Sequence, residues 1–374
     1  MNATNAIFIL LFLMAVFFGC HFFIYFSIVK FWFIKSSKIK IWLAVILFLL
    51  AVSFIGASVL AHSYDNTWTR FFYFSSGLWV GIGWNLVLFF WLAWFVVGAL
   101  YVLGFEFEEF EYAYMTIFAI VLALGLSIYG IWNAYHPRIK NVTVHIENLP
   151  DIWKGKKAIQ LSDVHLGLVL REGFLENVVQ KVNLEKPDIV FVTGDLFDGM
   201  DGVPDNLIQP LSNIKAVGGT YFVTGNHETY LGVDRVGEAL GKVSVKVLND
   251  EMVWVFGMQV VGVGYPERGQ SRNMENVIQN ISGFEKNNPS IFLYHNPAQA
   301  SEIKANGASL QLAGHTHAGQ LFPLNLIARG IYGKYASGLV EDDDFSIYTS
   351  VGVGTWGPLM RTSAVPEITV INFK

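Results

Sequence analysis

Two histidines, His315 and His317, lie two positions apart in the segment LAGHTHAG, where most neighbouring residues are small. Imidazole nitrogens are frequent ligands of divalent metal ions, and small neighbours allow the main chain to approach an ion closely. A lone histidine after an apolar segment is more often structural than a ligand. The pair therefore predicts a metal site only if other parts of the chain bring further ligands to it.

Ligand-type residues also follow four other short apolar segments. These clusters are Asp163-Val164-His165, Gly194-Asp195, Gly225-Asn226-His227-Glu228 and His295-Asn296. Because open α/β sheets place their sites at the carboxyl ends of strands, we expect these side chains to meet in one place. Carboxylate, imidazole and amide groups suit borderline divalent metals, and the chain offers more of them than one ion needs.

The apolar segments are short and rich in β-branched residues, and polar or glycine-rich turns bound them, which is typical of buried strands. Residues 172–185 and 233–242 carry a helical pattern between two pairs of them. This alternation predicts an α/β layered fold. The expected strands are 141–146, 157–163, 188–195, 219–227, 289–296, 310–317, 345–355 and 367–373.

Taken in their order along the chain, the five polar clusters resemble the full motif series of the calcineurin-like metallophosphoesterases. The resemblance covers about residues 140–374. The segments LPDIWKGKKAIQLSDVHLG and GHTHAGQLFP are similar to a membrane-associated or exported bacterial branch of that family, which is related to UDP-diacylglucosamine pyrophosphatases. The resemblance implies two mixed β-sheets packed as a sandwich and flanked by helices. It also implies two divalent metal ions, Mn, Fe or Zn, held between the sheets.

The resemblance implies a role for each ligand-type residue. Asp195 would bridge the two metals, and water activated between them would attack phosphorus in line. If His315 and His317 lie in an extended segment, they face the same side and both reach the site. The ligands would be Asp163, His165 and His317 for the first metal, and Asn226, His295 and His315 for the second.

Other polar residues are predicted to contact the substrate. His227 has no metal in this assignment, and we expect it to bind the phosphate or to protonate the leaving oxygen, with Asn226 beside it. Glu228 either orients His227 or is a solvated carboxylate of the turn. Asn296 either contacts the substrate or caps its turn, and Arg361 either clamps a phosphate with two hydrogen bonds or lies on the surface.

The first third of the chain predicts a membrane domain. Residues 7–29, 41–61 and 113–135 are each long and apolar enough to span a bilayer. The run from 71 to 105 predicts one more span near 79–103, preceded by an interfacial or tilted piece. We therefore expect about four transmembrane helices in residues 1–136 and a metallophosphoesterase domain in residues 137–374.

Positive charges in the short loops predict the orientation of these spans. The loop after the first span carries four lysines, the next carries Arg70, and the third carries no basic residue. Since basic loops stay in the cytoplasm, the first loop should be cytoplasmic and the catalytic domain of this multi-pass cell-membrane protein should be extracytoplasmic. His21 lies inside the first span, and the sequence shows no partner for it.

Composition narrows the function further. A net charge of -5, without a basic stripe, gives no support for a nucleic-acid partner. A single cysteine, Cys20, excludes a disulfide framework. The apolar segment 321–335, LFPLNLIARGIYGKY, is either a lipid-facing lip or part of the core.

The sequence thus predicts a membrane-anchored, two-metal phosphohydrolase. Its substrate would be a phosphorylated small molecule or lipid, cleaved at a phosphoester or phosphodiester bond, and its spans would contact membrane lipids. One alternative is a pyrophosphatase of lipid-linked nucleotides, of the UDP-diacylglucosamine type. Another is a non-enzymatic membrane receptor or transport component, which a missing metal ligand would favour.

Overall fold

A computed structural model describes residues 3–199, 205–267 and 269–374 of the chain. The chain forms two compact units. The first unit comprises the residues up to Trp132 together with Gly357–Met360, and the second comprises Asn133–Trp356 and Arg361–Lys374. The sequence placed a domain boundary at 136, close to the first division, but did not anticipate that residues 357–360 belong to the helical unit.

Four helices build the first unit, and each is long and apolar enough to cross a membrane. They are α1 (Ala3–Phe31), α2 (Ser37–Ser63), α3 (Thr67–Val102) and α4 (Glu109–Tyr135). The four long apolar helices that the sequence predicted are thereby confirmed. The piece expected before residue 79 is not separate, because α3 is one continuous helix of 36 residues. At about 1.5 Å per residue, α3 is longer than a hydrocarbon core of roughly 30 Å.

Two hydrogen bonds between polar side chains join helices of the first unit. The indole Nε1 of Trp79 donates to His21 Nε2 over 3.0 Å, so the expectation that His21 has no partner is wrong. Trp94 Nε1 likewise donates to Ser27 Oγ over 3.0 Å. A buried polar group without a hydrogen bond is costly in an apolar environment, so these pairs fix how the helices pack.

The second unit contains two six-stranded sheets and seven α-helices among the described residues. The predicted helices 172–185 and 233–242 are confirmed as α5 and α8. The helices are α5 (Glu172–Leu184), α6 (Asp205–Ile208), α7 (Asn226–Leu231), α8 (Val233–Gly241), α9 (Met274–Gln279), α10 (Ala300–Ala305) and α11 (Leu324–Tyr332).

All eight predicted strands are present, and most of them end earlier than the sequence suggested. The strands are β1 (Arg138–Val144), β2 (Lys157–Leu161), β3 (Ile189–Thr193), β4 (Thr220–Val223), β5 (Val245–Val247), β6 (Glu251–Val255), β7 (Met258–Gly262), β8 (Ser290–Leu293), β9 (Leu310–Ala313), β10 (Gly338–Asp342), β11 (Phe345–Thr349) and β12 (Glu367–Phe373). The sequence analysis missed β5, β6, β7 and β10. These lie at or next to the outer ends of the sheets.

Both sheets are mixed, as the sequence predicted. In the first sheet the order is β1-β12-β2-β3-β4-β5, and β12 runs antiparallel to β2 while β2 to β5 are parallel. In the second the order is β10-β11-β9-β8-β7-β6, with antiparallel strands at its two edges. The parallel central strands bring their carboxyl ends to one edge of each sheet.

The two sheets pack face to face around a shared apolar core. One buried cluster contains Phe191 and Val223 from the first sheet together with Val260, Ile291 and Leu312 from the second. Successive residues of a strand point to opposite faces, so the other face of each sheet needs a cover of helices. Helices α9 and α10 supply it on the second sheet. This arrangement confirms the predicted sandwich.

Candidate metal centre

The polar clusters follow five strands that belong to both sheets. Asp163 and His165 come after β2, Asp195 after β3, and Asn226 after β4. From the second sheet, His295 follows β8, and the pair His315 and His317 follows β9. Each sheet therefore contributes ligand-type side chains at the carboxyl ends of its parallel strands.

One set of side chains converges at the end of β2. His165 Nε2 lies 2.9 Å from His317 Nε2, and His317 Nε2 lies 3.3 Å from Asp163 Oδ1. All three residues are buried or nearly so. Two imidazole nitrogens and a carboxylate oxygen at this spacing form a candidate site for one metal ion.

A second set converges on the other side of Asp195. Asp195 Oδ2 lies 3.1 Å from His295 Nε2, and His315 Nδ1 lies 3.3 Å from the same nitrogen. Asn226 Oδ1 is buried and has no hydrogen-bond partner. Because a buried amide oxygen is costly without a partner, Asn226 fits a fourth ligand of this second ion.

Asp195 belongs to both neighbourhoods. It groups with His295 and His315 on one side, and with His165 and His227 on the other, with ligand atoms within 4.8 Å of one another in each group. The residues present therefore fit two metal ions that share one carboxylate. The three groups contain Asp163, His165, Asp195, His295, His315 and His317, which are six of the seven predicted ligands.

The turns that carry the ligands have an unusual backbone. Asp163, His165, Asp195, His315 and His317 all have positive φ angles, between 49° and 74°. Non-glycine residues rarely adopt this conformation, and it persists where the surrounding structure enforces it, often at functional sites. His315 and His317 therefore lie in a tight turn after β9, and the prediction that they alternate along an extended segment is wrong.

Two glycines make room for the carboxylates. A Cβ atom on Gly225 would lie 2.2 Å from Asp195 Oδ1, and one on Gly314 would lie 2.2 Å from Asp163 Oδ2. No side chain fits at either position without moving a candidate ligand. The small residues noted beside the histidines thus have a steric cause.

Hydrogen bonds from the main chain orient several ligands. His295 Nδ1 donates to the carbonyl of Thr193 over 2.7 Å, which leaves Nε2 to face Asp195. The amide of His315 donates to Asp163 Oδ1 over 3.0 Å, and the amide of His227 donates to Asp195 Oδ1 over 3.0 Å. Such second contacts fix the ring tautomer and the carboxylate position.

Burial controls the charge of the histidines. It lowers the pKa of His165 to about 3 and the pKa of His315 to about 4, so both imidazoles are neutral and have a lone pair for a metal. His295 differs. Burial opposes its charged form, but the adjacent Asp195 carboxylate raises its pKa above the usual range.

His227 lies against the first set of ligands. Its ring centre is 4.7 Å from that of His165 and 6.1 Å from that of Trp356. His227 Nδ1 donates to the carbonyl of Asp198 over 2.7 Å. Its Nε2 is therefore the nitrogen that remains for a proton transfer or a hydrogen bond to a ligand.

Glu228 has neither of the two expected roles. It is fully buried, so it is not a solvated turn carboxylate, and its oxygens bond to main-chain amides instead of to His227. It accepts hydrogen bonds from Asp195 (2.9 Å), Phe197 (3.2 Å) and Gly225 (2.7 Å). Glu228 thus ties the turn after β3 to the turn after β4.

Asn296 caps its turn, which was one of its two expected roles. Its Oδ1 accepts a hydrogen bond from the amide of Ala298 over 2.9 Å.

The burial of Arg361 rules out one of its two expected positions. It is fully buried, so it is not a surface residue. Its guanidinium donates to the carbonyls of His317 and Gly352, each over 3.0 Å, and to that of Val351. Both terminal nitrogens thus bond to the main chain, whereas Nε is buried and has no hydrogen-bond partner, so the predicted substrate contact stays a prediction. Arg361 supports the turn that holds His317.

Three neighbours of the ligands were missed. Asp198, three residues after Asp195, places a carboxylate oxygen 3.8 Å from His165 Nδ1, and this short spacing of acids was a signal in the sequence. The rings of Tyr265 and Tyr332 lie 6.1 Å and 6.0 Å from the ring of His315. Both tyrosines come from distant segments, and only the fold brings them near.

The sequence of this chain is similar to one family of known proteins. Residues 156–319 match the calcineurin-like phosphoesterase family. A metallophosphoesterase of Campylobacter jejuni is 34% identical over 260 residues, which cover 68% of this chain and 68% of that protein. One from Helicobacter pylori is 31% identical over 260 residues, covering 67% of this chain and 69% of that protein. A Danio rerio protein described as a transmembrane protein with a metallophosphoesterase domain is 31% identical over 279 residues, covering 69% of this chain and 62% of that protein.

Proposed function

The chain belongs to the calcineurin-like metallophosphoesterase family, and we propose on that premise that it hydrolyses a phosphoester or phosphodiester bond of a lipid-linked substrate at the membrane. One observation carries the proposal. Two sets of buried ligands from two sheets meet on either side of Asp195. Four helices able to span a membrane, in the same chain, keep the reaction at the bilayer.

Two divalent cations, held by the two sets of ligands, would supply Lewis-acid activation of water and of the phosphoryl oxygens. Imidazole, carboxylate and amide ligands suit Mn, Fe and Zn. The ligands would be Asp163, His165 and His317 for one ion, Asn226, His295 and His315 for the other, and Asp195 for both.

The chain's own side chains would orient the substrate and move the proton. His227 Nδ1 stays bonded to the Asp198 carbonyl, so its Nε2 is the atom that exchanges a proton with the leaving oxygen. General acid catalysis of this kind is worth about 10²–10⁴-fold. Trp356 lies beside His227, with its ring centre 6.1 Å from that of the imidazole.

The catalytic unit is proposed to face away from the cytoplasm. The supporting observation is four lysines, at positions 30, 35, 38 and 40, in and beside the loop between α1 and α2, which the positive-inside rule places in the cytoplasm. With four spans, the residues after α4 emerge on the opposite side. Fusions of alkaline phosphatase and of green fluorescent protein to the C-terminus test this: an active phosphatase fusion supports the orientation, and a fluorescent cytoplasmic fusion overturns it.

The experiment that tests the reaction uses the full-length protein in detergent, loaded with Mn²⁺. The substrates are bis(p-nitrophenyl) phosphate, p-nitrophenyl phosphate, phosphatidic acid and a lipid-linked nucleotide pyrophosphate. We expect metal-dependent hydrolysis that Asp195→Ala abolishes and that Asp234→Ala, an exposed matched control on α8, leaves intact.

The result with each substrate either supports or overturns a part of the proposal. Absence of any turnover with Mn²⁺, Fe²⁺ or Zn²⁺ overturns the hydrolase proposal. Turnover of the soluble esters without either lipid overturns only the lipid-linked substrate. Preferred cleavage of the pyrophosphate supports the alternative, a lipid-nucleotide pyrophosphatase.

A further inference from the structure

Helix α11 presents large apolar side chains to the outside of the second unit. Leu326 is 60% exposed, Ile327 59% and Ile331 69%, while Ala328 on the opposite side is buried. Phe322, just before the helix, is 43% exposed. We call Phe322, Leu326, Ile327 and Ile331 the apolar face of α11. In the segment 321–335, Leu321 and Ala328 are buried, but these four large apolar side chains are exposed and do not belong to the core.

Both ends of α11 are attached to the turn that holds the metal ligands. A Cβ atom on Gly319 would lie 2.3 Å from the backbone of Leu324 and of Asn325, so the start of the helix packs directly on the turn after His317. At its other end, the ring of Tyr332 lies 6.0 Å from the ring of His315. The apolar face therefore borders the candidate metal centre.

Trp356 extends this surface. It is 57% exposed, and two hydrogen bonds fix its backbone to the side chain of Gln320, which separates the His317 turn from α11. Tryptophan prefers the boundary between water and lipid, because its ring is apolar and its N–H is polar. Trp356 also directly precedes Gly357–Met360, the four residues that belong to the helical unit.

The charge of the segment suits a lipid headgroup layer. Residues 317–335 contain Arg329 and Lys334 and no acidic residue. Arg329 lies on α11 itself and is exposed, whereas Lys334 is 3.4 Å from Asp342. A short helix with an apolar face and basic residues beside it has the composition of helices that lie in the membrane interface.

A bilayer is also within reach of the second unit. Helix α4 ends at Tyr135 and β1 begins at Arg138, so only His136 and Pro137 separate a membrane span from the first sheet. The first sheet is therefore joined by two residues to a helix that is able to span a membrane.

We propose that the apolar face of α11, together with Trp356, inserts into the interfacial layer of the lipid bilayer. Inserted there, α11 holds the turn of His315 and His317 near the phosphate groups of the lipids. This docking does not depend on catalysis. Insertion of α11 would also give a physical reason for a lipid-linked substrate. Only this statement about the substrate rests on the proposed function.

Spin-label accessibility tests the insertion. The full-length protein carries Cys20→Ser, with Ile327→Cys or Ile331→Cys, in nanodiscs of phosphatidylcholine and phosphatidylglycerol. Val217→Cys is the matched control, because Val217 is an apolar residue of the same unit and is 87% exposed. We expect the ratio of collisions with oxygen to collisions with a water-soluble nickel chelate to be severalfold higher at 327 and 331 than at 217.

Two results would overturn the insertion. One is an equal ratio at all three positions, which places α11 in water. The other is spin–spin broadening at Ile331 that disappears on dilution with unlabelled protein, which makes a second copy the occupant of the face. The label could itself favour lipid, so a second variant adds Leu326→Glu and Ile327→Glu to the label at 331. Its ratio should fall to the value at Val217, and an unchanged ratio would also contradict the proposal.

Hydrolysis of bis(p-nitrophenyl) phosphate is measured on the same samples. A raised collision ratio in a protein that hydrolyses no ester would support the docking and overturn the proposed function. Hydrolysis without a raised collision ratio would support the hydrolase activity and overturn the docking of α11.

Discussion

The buried carboxylate of Glu228 accepts a hydrogen bond of 2.9 Å from the main-chain amide of Asp195. Thirty-three positions separate these residues, and the bond joins the turns after β3 and β4. The same carboxylate binds the amides of Phe197 and Gly225. Glu228 therefore holds the turns of Asp195 and Asn226 in register, although it is not itself a candidate ligand.

Removal of this carboxylate should destabilise the second unit. Glu228→Ala leaves three buried amides without an acceptor, at about 1–3 kcal/mol each. We expect a large fall in the thermal unfolding temperature in detergent. Glu228→Gln keeps one acceptor oxygen and should fall between Glu228→Ala and the unchanged protein. If both variants unfold at the same temperature as the unchanged protein, the hydrogen bonds of Glu228 do not stabilise the second unit.

Asn226 should bind one of two metals. Its orphaned Oδ1 predicts that Asn226→Ala, purified after Mn²⁺ loading, contains about one ion where the unchanged protein contains two. Asn296→Ala is the matched control, because Asn296 uses its oxygen to cap a turn. Elemental analysis of the purified proteins gives the count. Two ions in Asn226→Ala would show that this amide is not a ligand.

His227 should act on the leaving group. His227→Ala is expected to slow hydrolysis of an alkyl phosphodiester by about 10²–10⁴-fold. It should slow bis(p-nitrophenyl) phosphate much less, because p-nitrophenolate leaves without a proton. The metal content should not change. Equal losses on both esters would rule out the proton transfer and point to phosphate binding instead.

Gly225 should tolerate no side chain. An added methyl group would lie 2.2 Å from Asp195 Oδ1, so Gly225→Ala must displace the shared carboxylate. We expect loss of metal and of activity. Gly237→Ala is the matched control: nothing lies within 4 Å of its added Cβ on α8, and alanine favours a helix by about 0.5–1 kcal/mol. Full activity in Gly225→Ala would contradict the described packing.

The convergence of the candidate ligands could be predicted from the sequence because each one follows a short apolar strand, and parallel strands bring such ends together. The burial and hydrogen bonding of the residues around the ligands could not be predicted from the sequence. Glu228 and Arg361 belong to residue types that are usually exposed, and only tertiary packing shows that both are buried and bonded to the main chain.

The shape of the ligand turns was also beyond the sequence. Asp163, His165, Asp195, His315 and His317 have positive φ angles, which local preferences disfavour and the surrounding fold enforces. An extended segment was therefore the natural expectation for residues 314–317. The short strands β5, β6, β7 and β10 lacked a clear signal for a similar reason, because contacts with neighbouring strands decide their conformation.

The most direct test of the metal centre is electron paramagnetic resonance of the Mn²⁺-loaded, full-length protein. Two ions that share the Asp195 carboxylate should give the spectrum of a spin-coupled pair, and Asp195→Ala should lose that coupling. A spectrum of isolated Mn²⁺ at saturating metal in the unchanged protein would contradict the shared centre.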